Sequence, residues 1–260
     1  MQLSIRRPLG YHAHMAIHDF NAERLFVDAT LAPDATVACS SEQVNYLVNV
    51  LRLKNDDEIL IFNGRDGEWR AALRDIGKRR CNLVVQEQVR PQEQGPDLHY
   101  LFAPLKRARL DYMVQKAVEL GVARLRPVIT RRTIAERVNL DRMRSNVIEA
   151  AEQCGILALA EVDEPVKLSG LLEGWTPERR IIFCDEGAER SNPLEVLRTV
   201  EPGPLAVLIG PEGGFDPEER ALLMARRDTV AISLGPRIMR ADTAAIAALA
   251  LVNSVLGDWA

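Results

Sequence analysis

"LAVLIGPEGGFDPEER", residues 205–220, runs from an apolar stretch through a glycine-rich turn into a strongly marked helix start. Leu205–Ile209 has no polar position, which is the pattern of a strand covered on both faces in a parallel sheet. Gly210-Pro211 ends it. Asp216-Pro217-Glu218-Glu219 then supplies an N-cap, a proline at the first helical position and an acid at the third. "SLGPRIMRADTAAIAALA", residues 233–250, repeats the design: a strand-like run meets Gly235-Pro236, and an almost uncharged alanine-rich helix follows.

The same alternation extends back to about residue 98. "LHYLFAP", "RLRPVIT" and "RIIFCDE" read as strands. Leu110, Met113, Val114, Ala117 and Val118 mark one face of a helix that ends at Gly121. Asp141 is the expected cap of a second helix carrying Met143, Val147, Ile148, Ala151 and Cys154, closed by Gly155. Strand and helix in turn predict an α/β layered domain with a mainly parallel sheet. Before the linker "RPQEQGPD", 90–97, the rhythm is β with one helix. "RLFVDA" and "CNLVVQEQV" are strand-like, and "DEILIFNGRDGEWRAAL" turns at Asn63-Gly64 and Asp66-Gly67 as a hairpin. Ser40 and Gln43 open a capping box for a helix over "SEQVNYLVNVLRL". Three segments result: a flexible extension over 1–20 carrying His12, His14 and His18 as surface residues, a small β-barrel over 21–92, and the α/β domain over 93–260.

Composition, 47% hydrophobic and 27% charged, suits a soluble globular chain. No apolar run reaches the roughly 20 residues of a membrane span, and no apolar stretch follows Arg6-Arg7 as a secretory signal would require. Cys39, Cys81, Cys154 and Cys184 form no C-x-x-C pair, so a reduced, cytoplasmic protein without a metal site is expected. Net charge is −4, yet residues 104–144 hold eleven Lys or Arg against four acids. Arg65, Arg70, Arg74, Lys78, Arg79 and Arg80 form a second basic cluster. Such segregation gives a positive face to an acidic protein, the footprint of phosphate binding, or simply a set of solvated helix faces.

In open α/β sheets ligands lie beyond the carboxyl ends of strands, where both Gly-Pro turns fall. "GPEGG" lets backbone groups approach a planar heterocycle, unless it is a plain tight turn. It lacks G-K-[ST], and Glu212 would repel a triphosphate, so it is no P-loop. Arg240 offers a permanent forked donor to a carbonyl-rich base or a phosphate; an ion pair to Asp242 or Glu212 is the structural alternative. Asp242 and Thr243 can cap the last helix, whose small apolar residues suit the core or a dimer interface. With no G-x-S-x-G and no H-E-x-x-H, a cofactor bringing its own reactive group fits better than a triad.

"LIGPEGGF", "LGPRIMRADTAAIAAL", "QKAVELGV" and "EAAEQCG" together resemble the ribosomal RNA small-subunit methyltransferase E family, of the knotted SPOUT class of S-adenosylmethionine-dependent enzymes. "YLVNVLRLKNDDEILIFNGRDGEW" resembles that family's PUA-like barrel, and the likeness runs from about residue 24 to 257. The resemblance implies a homodimer with a C-terminal trefoil knot that methylates N3 of one uridine in 16S rRNA, on free small-subunit rRNA or the 30S particle. It implies one cofactor wall from Leu208, Ile209, Gly210, Pro211, Glu212 and Gly213, and another from Leu234, Gly235, Ile238, Met239 and Arg240. Arg240 would be catalytic, with Glu212 and Asp242 as helpers. Arg65, Arg70, Arg74, Lys106, Arg107, Arg109, Arg131 and Arg132 would hold the RNA. Departures from the family's usual pattern fall at Ile156, where arginine is common, and at Ala241-Asp242, where Thr-Glu is. A methyltransferase acting on another RNA site and a non-catalytic RNA-binding or assembly protein are the alternatives.

Overall fold

The computed structural model describes residues 22–134, 137–188 and 191–260. The extension over 1–20 and its three histidines lie outside the described residues. Two compact units divide between Gln92 and Glu93.

The first unit is a five-stranded mixed sheet in the order β1-β3-β4-β5-β2. Its strands are β1 (Arg24–Phe26), β2 (Thr36–Ala38), β3 (Glu58–Phe62), β4 (Glu68–Gly77) and β5 (Arg80–Arg90). β1 pairs with β3 in parallel, and the remaining ladders are antiparallel. Among the described residues the two edge strands share no ladder. The Ser40–Gln43 capping box forms, but it opens only a single turn, α1 (Ser41–Val44). Asn45–Val50 then widens into a π-helical turn, in which the Leu51 amide reaches back five residues to the Tyr46 carbonyl at 2.9 Å. The expected apolar face survives this: Val44 and Leu47 are buried, and Val48 and Leu51 pack against the same core. A buried carboxylate closes the sheet, Glu68 receiving Arg24 at 2.9 Å and Arg90 at 2.8 Å.

The second unit is a seven-stranded parallel sheet. Six strands run β12-β10-β11-β6-β7-β8, and β9 pairs with β7. They are β6 (Leu98–Phe102), β7 (Arg124–Ile129), β8 (Glu161–Val162), β9 (Val166–Lys167), β10 (Arg180–Cys184), β11 (Leu205–Ile209) and β12 (Thr229–Ile232). The helices are α2 (Arg107–Glu119), α3 (Leu140–Cys154), α4 (Leu168–Glu173), α5 (Pro193–Leu197), α6 (Pro217–Met224) and α7 (Ala241–Leu256). Strand side chains divide by the period of two. Ile182 and Val207 enter one core with α2, α3, α5 and α7, while Ile181, Phe183, Ala206 and Leu208 enter the other with α4 and α6. That two-sided burial is why β10 and β11 read as unbroken apolar runs.

Two sequence expectations need correction. Asn139, not Asp141, caps α3: its side chain accepts the Arg142 amide at 3.0 Å, while Asp141 turns to Arg144 at 2.9 Å. The backbone is extended at Asn139 and already helical at Asp141, so it is Asn139 that stands at the cap. At the other end Gly155 adopts φ +64, and the Gly155 and Ile156 amides both bond to Ala151. Ile156 therefore stands where a left-handed helix end places a hydrophobe, and it packs on the core. After β12, at the sheet's edge, the chain returns past β10 so that α7 packs over β11 and against α2 and α5. Asn253 ties α7 down by donating to the Leu120 carbonyl at 2.7 Å.

Candidate active site

Because strands β12, β10, β11, β6 and β7 are parallel, their carboxyl ends share one edge. Residues 233–240, 185–188, 210–216, 103–106 and 130–134 leave the sheet there.

The 210–216 turn is built to hold one shape. Asp216 and Glu219 form a reciprocal capping box around Pro217 at the start of α6. The Gly214 amide donates to the Pro211 carbonyl at 2.9 Å. Phe215 folds back edge-on to Phe183, with ring centroids 5.0 Å apart. A methyl group on Gly210 would lie 2.4 Å from the Phe215 ring. Gly214 has φ +68, and a methyl there would lie 2.5 Å from Glu186 Oε1. Gly213 is different: its absent methyl would make only ordinary contacts, 3.7 Å and longer, with the Arg132 stem. Thus Gly210 and Gly214 are the positions that demand glycine, although Gly214 was not among the predicted cofactor residues.

The 233–240 segment is held far less. Among the described residues the peptide groups of 234–239 make one hydrogen bond, from the Gly235 amide to Ser233 Oγ at 3.4 Å. Gly235 has φ +105 and open space where a side chain would be. Ile238 is 93% exposed, an apolar side chain standing clear of the core. Arg240 occupies the N-cap of α7 with no side-chain cap bond, its carbonyl receiving the Ala244 amide at 2.8 Å. Among the described residues its guanidinium has no ion-pair partner, so neither Asp242 nor Glu212 neutralises it. Asp242 Oδ1 instead accepts the Thr243 amide at 2.9 Å, and Glu212 lies 3.9 Å from Arg109. An arginine at this position gives no cap and opposes the helix dipole, two local costs of about 1 kcal/mol or less each.

The predicted walls separate accordingly. Leu208 and Ile209 are buried in opposite cores, so their side chains belong to packing; what they offer a ligand is the strand end. Pro211 is buried, whereas Glu212, Gly213, Gly235, Ile238 and Arg240 are exposed and Leu234 and Met239 are partly so.

The predicted RNA cations also divide. Lys106, Arg107 and Arg132 are exposed, and among the described residues none has an ion-pair partner. Arg131 meets Asp216 at 2.8 Å and Glu218 at 2.5 Å, and its amide donates to buried Glu219 at 2.9 Å, so it is first a brace for α6. In the first unit Arg65 pairs with Asp28 at 3.7 Å, Arg70 with Glu87 at 3.2 Å, and Arg74 with Asp56.

Sequence reasoning missed the third loop of this edge. Asp185, buried just past β10, receives Arg220 from α6 at 2.8 Å and the Gly187 amide at 3.1 Å, clamping this loop to the helix that follows the 210–216 turn. The strand-end rule pointed at "CDEG" as well, but two acids after a strand carry no distinctive motif. A cavity of about 310 Å³ between β7, α4 and α6, bordered by Lys167, Ser169 and Leu222, lies on the α6 side and is not lined by 233–240.

Burial pushes the thiols of Cys39 and Cys184 up to about 12 and raises those of Cys81 and Cys154, which disfavours the thiolate that a cysteine nucleophile needs. Burial, with smaller contributions from Cys184 and Asp242, holds the Tyr100 hydroxyl well above its usual range, and it remains a neutral donor 3.0 Å from Met113 Sδ. Among the described residues no His, Cys, Asp and Glu group could hold a metal, and no helix is long and apolar enough to cross a membrane.

Residues 92–253 match the family described as an RNA methyltransferase domain, and residues 40–86 match the RNA methyltransferase PUA domain. The chain is 32% identical over 232 residues to the ribosomal RNA small subunit methyltransferase E of Rickettsia conorii, covering 88% of this chain and 94% of that protein. It is 31% identical over 242 residues to the Synechocystis protein of the same name, covering 90% and 78%. The crystal structure of the Neisseria gonorrhoeae ribosomal RNA small subunit methyltransferase E bound to S-adenosylmethionine superposes with a TM-score of 0.81. That match has 27% identity and covers 92% of this chain and all of the other.

Proposed function

The chain belongs to the ribosomal RNA small subunit methyltransferase E family, and from that premise we propose that it methylates N3 of one uridine in 16S rRNA, using S-adenosylmethionine and acting as a homodimer. The observation that carries the reading is Arg240, an exposed guanidinium without an acid partner among the described residues, at the start of α7 directly after the Gly235-Pro236 segment on the sheet's carboxyl edge.

The residues suit this cofactor. Free peptide N–H and C=O groups along 234–239 can read an adenine edge, and Leu234, Ile238 and Met239 offer apolar faces to its ring. The shaped 210–216 turn forms the opposite wall. Bound S-adenosylmethionine supplies an electrophilic methyl group. The protein's part is to make uracil N3 a nucleophile and aim it. Arg240 presents its fork to the uracil carbonyls, where negative charge grows as the N3 proton leaves, and it is already in place when that charge develops. The proton passes to Glu212, Asp242 or water. Lys106, Arg107 and Arg132 grip phosphates at the same edge. Arg65, Arg70 and Arg74 contribute by exchanging their surface acids for phosphate, a modest cost because exposed ion pairs are worth about 1 kcal/mol or less. The half-buried small residues Ala247 and Ala250 on α7 provide the close-packing face of the dimer.

Calorimetry with S-adenosylmethionine and mapping of N3-methyluridine in 16S rRNA, with and without the gene, test this reading. Cofactor binding and a methylation that vanishes with the gene are expected. Folded protein that fails to bind the cofactor, or a mark that persists unchanged, would overturn it.

A further inference from the structure

Arg132 holds the 210–216 turn with one part of its guanidinium and leaves the rest exposed. It stands in the turn after β7, which is closed on itself: the Thr130 amide and hydroxyl both meet Thr133 Oγ1 at 2.9 Å, and the Thr133 amide donates to the Thr130 carbonyl at 3.1 Å. The neighbouring Arg131 fixes that turn to α6 through Asp216, Glu218 and Glu219. From this rigid base the Arg132 stem lies over Gly213, and its Nη1 donates to the Gly213 carbonyl at 2.9 Å. One donor is thereby used; a guanidinium has five. The rest of the group is exposed, with no acid partner among the described residues. Arg109 approaches the same turn, 3.9 Å from Glu212, on the helix that carries Arg107.

Resting on the methyltransferase reading above, we propose that Arg132 is a positioning residue that couples RNA to the cofactor. One edge of its fork sets the Gly213 peptide of the cofactor wall while the other takes a backbone phosphate of the substrate RNA. A phosphate that orders the exposed fork fixes its bond to the Gly213 carbonyl and so the orientation of that one peptide. A cofactor seated against the Gly213 peptide holds the fork in the geometry the phosphate needs. By linkage each ligand must strengthen the other by the same factor. The arrangement favours cofactor held on the RNA-bound enzyme over idle occupancy. Lysine cannot replace it, because a compact ammonium carries the charge but not the two-sided fork.

The test measures the dissociation constant of S-adenosylhomocysteine, which cannot transfer a methyl group, by equilibrium dialysis with and without saturating 30S particles lacking the mark. For the wild-type protein the particles should tighten binding about tenfold, within the usual range of allosteric coupling. Arg132→Ala should bind each ligand somewhat more weakly and bring the coupling factor close to one. Arg132→Lys should recover particle affinity while the factor stays near one. Lys106→Ala, which removes a phosphate contact with no hydrogen bond to the turn among the described residues, should lower particle affinity and keep the factor. Wild-type protein that binds both ligands independently, or either Arg132 variant with the wild-type factor, overturns the coupling and leaves the methyltransferase reading standing. Wild-type protein that binds neither ligand overturns both.

Discussion

Helices α6 and α7 begin alike in sequence, each after a strand and a Gly-Pro turn, yet their first turns are opposites. α6 opens on Asp216 with a full capping box, proline at its first position and two acids in its first turn. α7 opens on an arginine that caps nothing, after a segment whose peptide groups make one hydrogen bond among the described residues. The first turn is finished by its own residues, and the second is left for something else to finish. Local rules are broken most instructively where a ligand completes the structure. On the proposed reading the pair forms one fixed wall and one wall that binding completes.

That contrast can be broken from either side. Arg240→Ala should lower turnover about 100- to 1000-fold, the range for removing one preorganised donor, while leaving particle affinity nearly intact in a filter-binding assay. Equal loss of both would make Arg240 a binding cation rather than a stabiliser of the reacting base. Gly210→Ala forces a methyl group into the Phe215 ring and should cost about 1–3 kcal/mol of stability in urea unfolding, along with cofactor affinity. Asp216→Ala removes the α6 cap and should cost about 1 kcal/mol in the same assay. Gly213→Ala adds a methyl in ordinary contact with Arg132 and should stay within about 0.5 kcal/mol of wild type, as surface substitutions do. A large loss there would mean that this wall is tighter than its geometry indicates.

The sequence carried the layered α/β fold because two-sided burial writes itself as unbroken apolar runs, as in Leu205–Ile209. It carried the α6 start because Asp, Pro and Glu each have one local job. It misplaced the α3 cap because Asn139 and Asp141 are both good caps and only the chain's path chooses between them. The π turn at Asn45–Val50 was not legible, since Val44, Leu47, Val48 and Leu51 keep the same apolar face through a locally widened turn. At the site, the glycines were visible as a group, but which ones must be glycine depends on Phe215 and Glu186, distant or unremarkable in sequence. The double duty of Arg132 and the Asp185–Arg220 clamp join residues 81 and 35 positions apart, and no local pattern encodes such pairs.

Replacing Arg240 by serine puts stability and function in opposition. Serine is a favoured N-cap and removes a positive charge from the positive end of α7, so it should stabilise the protein by about 1 kcal/mol. The melting temperature of Arg240→Ser, measured on the same preparation assayed for methyl transfer to 30S particles, tests this most directly. A variant that melts above wild type and transfers methyl groups about 100- to 1000-fold more slowly is the predicted result. A variant that melts well below wild type, or that methylates at the wild-type rate, would contradict the placement of Arg240 at the reacting base.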